Sequence, residues 1–304
     1  MRKQKPTSPE VSNNNSLASK AYFAKLEAWI SILINFALFG LKLYYGSLSQ
    51  SLALTADAFE TLSDVATSLA IFFVARELNR APDREHPFGH GRLEDTTTLI
   101  ISVLLFVIGI QFLIQGYQKI FHPSPIKFSL PAFFAILIGM GGKEVLAQIA
   151  FFLGRKTANS SLLIAKAWHH RSDALDSLPV LVVFLFPNYP WLDAAGSLFT
   201  SSVIIWMASK LLRDSVSRLL GRGISSEQRE KILKIASQFK EVNNIHSIYL
   251  HDYGGRGVIT MHIEVDGNLS VKEGHDLSEK IENEIKDQTG FEGIVHIEPS
   301  SKEE

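Results

Sequence analysis

The chain has 304 residues, of which 46% are hydrophobic and 20% are charged, and its formal net charge is −1. This composition is too apolar for an ordinary soluble domain and too charged for a chain lying wholly in a membrane, so we expect a membrane part and a soluble part. The near-zero charge gives no indication of a nucleic-acid partner, and the lack of cysteine excludes disulfides, thiolate metal sites and cysteine nucleophiles.

The first 25 residues are polar and include Asn13, Asn14 and Asn15, so they are predicted to form a flexible cytoplasmic tail. Apolar segments of about 20 residues follow, the length that a helix needs to cross about 30 Å of hydrocarbon. These segments lie at 28–46, 50–76, 97–118, 130–153, 161–186 and 191–212. The sequence therefore predicts a six-helix transmembrane domain over residues 26–213 and no cleaved signal peptide.

Basic residues are concentrated after the second segment and around the start of the fifth. They are Arg76, Arg80, Arg84, Arg92, Arg155, Lys156, Lys166 and Arg171. Loops rich in lysine and arginine stay on the cytoplasmic side, and the opposite loops are poor in them. We therefore expect a multi-pass protein of the cell (inner) membrane with both termini in the cytoplasm.

The second apolar segment carries three carboxylates on one side of the helix. At about 100° per residue, Asp57, Glu60 and Asp64 fall within roughly 60° of one another. A carboxylate in the middle of a bilayer costs about 2.5 to 3.5 kcal/mol, so this stripe should face a partner, water or an ion. A soluble amphipathic helix is the alternative, but the flanking apolar sequence disfavours it.

The fifth segment also contains polar residues at helical spacing. His169 and Asp173 are four residues apart, as are Glu60 and Asp64, so each pair projects from one face of its helix. If the two faces meet, one nitrogen and three carboxylates suit zinc, or manganese or ferrous iron with added water. The alternative is an ion-pair network without a metal, and the lack of lysine or arginine on these two faces argues against it.

Asp57 and Asp176 lie on the outer side of these two pairs. One hypothesis makes them an acidic relay between the site and the exterior. A helix-capping or packing role is the alternative.

Histidines also occur in the loop after the second segment. Asp83, His86 and His90 are spaced to hold a second metal on a loop stiffened by Pro87. A solvated polar loop is the alternative.

After Arg213 the composition becomes that of a soluble domain, and residues 214–223, with Gly221 and Gly223, are predicted to form a hinge. Capping-box pairs Ser225/Gln228 and Ser270/Glu273 predict helices to about residues 239 and 286. Strands are expected at 245–253, 258–265 and 293–297. The α-β-β-α-β order predicts a small α+β domain over residues 224–304.

Several histidines of this domain are possible metal ligands. His262 and His296 lie in predicted strands, His275 lies in the second helix, and Glu298 shares a strand face with His296. His251 and Asp252 could join them, whereas His122 and His246 have no acidic neighbour at ligand spacing and are assigned structural roles. Surface histidines without metal are the alternative.

Four elements of the sequence resemble the cation diffusion facilitators, a family of proton-coupled exporters of divalent metals. They are SLALTADAFETLSD from Ser51, HPFGHGRLE from His86, AWHHRSDAL from Ala167, and a C-terminal domain with the strands MHIEV and VHIEP. The resemblance implies six transmembrane helices, a ferredoxin-like cytoplasmic domain and a homodimer. It also implies a transport site at Glu60, Asp64, His169 and Asp173, a loop site at Asp83, His86 and His90, and a cytoplasmic site at His262, His275, His296 and Glu298.

Two positions depart from the family pattern. Glu60 stands where similar members have Asp or His, which makes the site richer in oxygen and weakens a preference for zinc alone. Gly221 stands where some relatives carry an acid able to pair with the basic residue at Arg92, and whether Asp214 substitutes is open.

The resulting hypothesis is a proton-coupled antiporter that exports divalent cations, zinc first and then cadmium or iron, with no prosthetic group. A manganese-selective exporter and a membrane metal sensor without transport are the alternatives. An intramembrane metalloenzyme is disfavoured because the sequence contains no HExxH motif and four protein ligands leave no position for a catalytic water.

Overall fold

The computed structural model describes residues 9–78, 82–156, 161–254 and 257–300. The chain forms two compact units. The first comprises Met1–Ile71 and Ile101–Lys210, and the second comprises Phe72–Ile100 and Leu211–Glu304. The loop with Asp83, His86 and His90 therefore belongs to the same compact unit as the C-terminal domain.

The membrane part is helical. Its helices are α1 (Pro9–Ser49), α2 (Leu52–Leu78), α3 (Leu93–Phe121), α4 (Leu130–Lys156), α5 (Ser161–Asp176), α6 (Leu178–Leu185) and α7 (Trp191–Leu219). Within the described residues, four helical stretches are long and apolar enough to cross a membrane, namely Lys25–Ser49 and the whole of α3, α4 and α7. This agrees with the predicted helical membrane domain.

Three boundaries differ from the sequence predictions. The fifth segment is two helices rather than one, because Pro179 near the start of α6 lacks an N–H and crowds the preceding turn. Helix α1 begins at Pro9, within the stretch predicted to be a flexible tail, since extending an existing helix costs little. Helix α7 continues to Leu219, so the first part of the predicted hinge is helical.

Helix α4 packs against both α1 and α5. The approach to α1 is close at two glycines, because a Cβ at Gly139 would collide with the Lys42 side chain and one at Gly142 would collide with Leu38. This packing brings the middle of α4 beside the polar residues of α5.

The start of α2 is held by a residue of α7. The buried Asp193 accepts hydrogen bonds from the backbone N–H groups of Leu52 and Ala53 and from the Ser51 hydroxyl. It also pairs with Lys119 at 2.6 Å. An N-terminal helix cap is thus supplied by a distant part of the chain, which fixes the position of the acidic stripe on α2.

The C-terminal domain has the predicted α-β-β-α-β order. It consists of α8 (Ser226–Ala236), β1 (Asn244–Asp252), β2 (Gly257–Val265), α9 (Val271–Thr289) and β3 (Glu292–Pro299). The sheet order is β1-β2-β3, with β1 antiparallel and β3 parallel to β2. Both predicted capping boxes are confirmed, at Ser225/Gln228 and at Ser270/Glu273.

One face of this sheet is apolar and the other is polar. Met261, Ile263 and Val265 of β2 are buried in a core shared with α8 and α9. Residues of β2 alternate between the two faces, so His262 and Glu264 lie on the face away from that core. This alternation places His262 on the face of the sheet that is not covered by α8 and α9.

Candidate metal sites

Helices α2 and α5 bring three of the four predicted transport-site residues together. One ligand atom from each of Asp64, His169 and Asp173 lies within 4.8 Å of the others. His169 Nε2 is 3.5 Å from Asp64 Oδ1, and His169 Nδ1 is 3.5 Å from Asp173 Oδ1. Both aspartates are buried. Two carboxylates and one imidazole can bind zinc, manganese or iron.

Glu60 lies one turn before Asp64 on α2 but is not part of this group of three. Its side chain is buried, and neither carboxylate oxygen has a hydrogen-bond partner among the residues that the structure describes. A buried carboxylate without a partner is costly. Glu60 is therefore a nearby acid with free ligand capacity.

Sequence reasoning missed a lysine at this site. The ammonium of Lys143, from α4, hydrogen-bonds to Asp64 and lies 2.9 Å from Asp173 Oδ2. The expectation that no basic residue neutralises these acids is therefore wrong, because the lysine comes from a third helix. The lysine within the apolar run of α4 was the available signal, since a charge there needs a partner.

A second buried lysine pairs with Asp57, at the N-terminal end of the acidic stripe. Lys42 Nζ is 2.9 Å from Asp57 Oδ2, and Ser177 Oγ donates to Asp57 Oδ1 at 2.8 Å. Lys42 also donates to Thr61 Oγ1 and Ser177 Oγ. These bonds join α1, α2 and the break between α5 and α6, so Asp57 has a packing role. The relay hypothesis for Asp57 and the half-buried Asp176 stays a prediction.

Glu27 and His170 form a further buried pair close to Asp173. Glu27 accepts from Lys166 Nζ at 2.6 Å, and its other oxygen is 3.2 Å from His170 Nε2. The second nitrogen of His170 is 3.9 Å from Asp173 Oδ2. His170 and Glu27 were not predicted as site residues, and the adjacent histidines at positions 169 and 170 were the only signal.

The loop residues Asp83, His86 and His90 also form a group with ligand atoms within 4.8 Å. Both histidines lie 3.5 Å from an Asp83 oxygen, and their rings are 4.5 Å apart. The backbone N–H of His86 donates to Asp83 Oδ1 at 2.7 Å and, with the nearby imidazoles, holds the pKa of Asp83 below its ordinary value. The structure thus brings together all three residues of the predicted loop site.

Arg92, at the end of this loop, has a partner other than an acid. Its guanidinium donates to the backbone carbonyl of Asp252 and lies 4.5 Å from the centre of the Tyr253 ring. Phe88 stacks on the same tyrosine. Among the described residues, Asp214 is not a partner of Arg92. A different ion pair, between Arg218 and Asp95, lies in the same compact unit.

In the C-terminal domain the sheet aligns three histidines. His262 of β2 is directly opposite His246 of β1 and His296 of β3. His246, His262 and Glu298 have ligand atoms within 4.8 Å, and His296 Nε2 is 3.7 Å from Glu298 Oε1. His262 Nδ1 hydrogen-bonds to Glu298 at 2.7 Å, which lowers the pKa of that carboxyl.

This arrangement corrects one assignment, because His246, assigned a structural role, belongs to the cluster. The predicted ligand His275 is exposed on α9 and is not one of these three residues, so its role stays a prediction. His251 is also outside the cluster and contacts Thr260. Which strand residues face each other depends on register, which is not readable from spacing within one strand.

Membrane-length helices, buried aspartates beside a histidine and a separate α+β unit are the combination expected of a membrane transporter for cations. Residues 28–220 match the family profile of the cation efflux transmembrane domain, and residues 224–300 match that of the cation efflux protein cytoplasmic domain. The chain therefore belongs to the cation diffusion facilitator family of cation efflux transporters and is a multi-pass membrane protein.

Two bacterial efflux proteins match almost the whole chain, and one solved structure matches its C-terminal domain. The chain is 30% identical to the manganese efflux system protein MneP of Bacillus subtilis, over 91% of this chain and 96% of that protein. It is 26% identical to the cation-efflux pump FieF of Klebsiella pneumoniae, over 87% and 89% of the two chains. The metal-bound C-terminal domain of the CzcD transporter from Thermotoga maritima is 31% identical over 26% of this chain and 93% of that chain, with a TM-score of 0.25.

Proposed function

We propose that this protein is a secondary antiporter that exports a divalent cation from the cytoplasm in exchange for protons. The observation that carries the proposal is the group of the buried Asp64 and Asp173 with His169, with the buried Glu60 one turn from Asp64. Charged and titratable groups at membrane depth are expensive and typically mark an ion pathway.

Competition between the metal and protons for the same atoms supplies the coupling. His169 must be neutral and the carboxylates ionised to bind a cation, so metal binding releases protons. Protonation from the outer side then favours release of the metal. Both termini are placed in the cytoplasm in this proposal, as the distribution of basic residues favours.

Zinc and manganese are the proposed cargoes, with iron or cadmium as further possibilities. Three carboxylates and one imidazole suit either metal. The oxygen-rich set with Glu60 and the likeness to a manganese efflux protein support manganese, whereas the histidine supports zinc.

The C-terminal domain is proposed to bind metal and to join two copies of the chain. The donor set fits a transition metal, because imidazoles and a carboxylate converge on one sheet face. His246, His262, His296 and Glu298 would hold the ion, and the resemblance adds His275. Metal occupancy would report the cytoplasmic load to the transporter.

Transport into proteoliposomes with an imposed pH gradient tests the proposal. The unaltered protein should move manganese or zinc against its gradient, and Asp64→Asn and Asp173→Asn should each abolish this movement. Metal binding without transport would support the sensor alternative. A Glu60→Asp variant compared across manganese, zinc, iron and cadmium would show whether Glu60 determines the ranking, and an unchanged ranking would refute that role.

A further inference from the structure

The ammonium of Lys143 lies beside the two aspartates of the proposed transport site. Lys143 Nζ lies 2.9 Å from Asp173 Oδ2, is hydrogen-bonded to Asp64 Oδ2, and belongs to a side chain that is 2% exposed. We propose that Lys143 is a tethered cation that occupies the transport site when no metal is bound, and that a divalent ion binds only by displacing it. This inference rests on the proposed function.

Each aspartate contacts both His169 and Lys143, and Asp173 Oδ2 also lies 3.9 Å from His170 Nδ1. In both Asp64 and Asp173, Oδ1 faces His169 and Oδ2 faces Lys143. A metal ion bound to these carboxylates would lie about 2.0 to 2.2 Å from their oxygens. The ammonium would then be held against a divalent cation in a poorly screened interior, where like charges repel strongly. Simultaneous occupation is therefore unfavourable.

Lys42, the other buried lysine named in this unit, has hydrogen-bond partners that differ from those of Lys143 and indicate a structural role. It pairs with Asp57 and also donates to the hydroxyls of Thr61 and Ser177, so it joins three parts of the chain. Among the residues that the structure describes, Lys143 donates hydrogen bonds to the two aspartates that also contact His169. Lys143 is thus bonded to the proposed ligands themselves, and Lys42 is not.

The chemistry of lysine suits displacement. Its ammonium is a point charge on a flexible stem, so it can offset one of the two negative charges of the aspartates and can move away without breaking a fixed bidentate geometry. The site then avoids exposing two uncompensated buried carboxylates, which are costly. A divalent ion gains twice the charge interaction of an ammonium, so the lysine raises the threshold for binding and disfavours monovalent ions.

Metal affinity provides the first test. The full-length protein in detergent would be titrated with Mn²⁺ and with Zn²⁺ by calorimetry, as the unaltered chain and as Lys143→Gln, Lys143→Arg and Lys42→Gln. Removing the competitor should tighten metal binding at least about tenfold in Lys143→Gln, because the binding-competent fraction rises. Lys143→Arg should bind no more tightly than the unaltered protein. Lys42→Gln, the matched control, should also show no tightening.

A second measurement uses the unaltered chain and remains decisive if Lys143→Gln fails to fold. Reductive dimethylation of lysines during a Mn²⁺ titration, read by mass spectrometry, should show Lys143 becoming reactive as metal binds while Lys42 stays unchanged. Equal affinity in Lys143→Gln, or flat labelling of Lys143, would overturn the inference even where the protein binds and transports metal. Absence of both binding and transport in the unaltered protein would instead defeat the proposed function, and the inference with it.

Discussion

The membrane cluster (Asp64, His169 and Asp173) and the sheet cluster (His246, His262 and Glu298) both combine imidazole with carboxylate, but their carboxylates differ in burial. Asp64 and Asp173 are buried, and both contact Lys143, whose single positive charge offsets one of their two negative charges. Glu298 on the sheet is 34% exposed in its side chain and is approached by His246 and His262. Burial makes an internal counter-cation necessary in the first cluster, whereas solvent screens the charge in the second. A ligand set alone therefore does not define a metal site, because its environment determines what else must be present.

The largest expected effect comes from breaking charge balance in the membrane cluster. An Asp64→Asn/Asp173→Asn double variant leaves Lys143 without the two carboxylates it contacts, and we expect it to lose about 3 to 5 kcal/mol of stability. Adding Lys143→Gln should restore much of this stability but no transport. Thermal unfolding in detergent and metal flux measure the two properties separately. A triple variant no more stable than the double variant would contradict the charge-balance explanation.

The loop that carries Asp83, His86 and His90 makes a close backbone contact at Gly91. A Cβ at Gly91 would collide with the backbone of Tyr253 and Gly254. We expect Gly91→Ala to destabilise this contact by about 1 to 3 kcal/mol, as overpacking typically does. Faster amide hydrogen exchange around Tyr253 would report the change. Gly223→Ala is the control, since nothing lies within 4 Å of a Cβ there, and equal effects in both variants would argue against the contact.

In the sheet cluster a single histidine can be removed without leaving a buried charge. With the transport site disabled by Asp64→Asn, Asp173→Asn and Lys143→Gln, His246→Ala should weaken zinc binding to the full chain at least about tenfold, or 1.4 kcal/mol. His251→Ala, on the same strand but outside the cluster, should leave the affinity unchanged. Calorimetric titration gives both values. Equal losses in the two variants would show that His246 is not a ligand.

The smallest effect concerns the helix behind the sheet, whose start rests on local hydrogen bonds. Ser270→Ala should cost about 1 kcal/mol, because it removes one half of the capping box. Hydrogen bonds from Ser270 lower the pKa of the exposed Glu273, so its contribution is present above its ordinary value of 4.5 and is lost as the pH falls through the lowered pKa.

Unfolding curves recorded between about pH 3 and pH 7 measure this contribution. Glu273→Gln should flatten the acid side of the stability profile, and Glu279→Gln, an exposed change on the same helix, should not. If both profiles match that of the unaltered chain, Glu273 contributes nothing through its charge.

The sequence was sufficient wherever structure depends on neighbours along the chain. Apolar length predicted the membrane helices, and capping boxes predicted the starts of α8 and α9. Four-residue spacing placed His169 and Asp173 on one helix face, and their ligand atoms do meet Asp64. The proline that divides the fifth segment was also readable, although the prediction treated that segment as one helix.

Contacts between distant elements were decided only by tertiary structure. Lys143 reaches the aspartates because α4 packs against α5, and His246 faces His262 because of the register between β1 and β2. Local spacing fixes which side of an element a residue occupies, but it contains no information on which other element will cover that side. For this protein the sequence by itself determined the family and the four-residue spacing of Glu60 with Asp64 and of His169 with Asp173. The packing of the helices decided that Lys143 contacts the two aspartates, and the pairing of the strands decided that His246 faces His262.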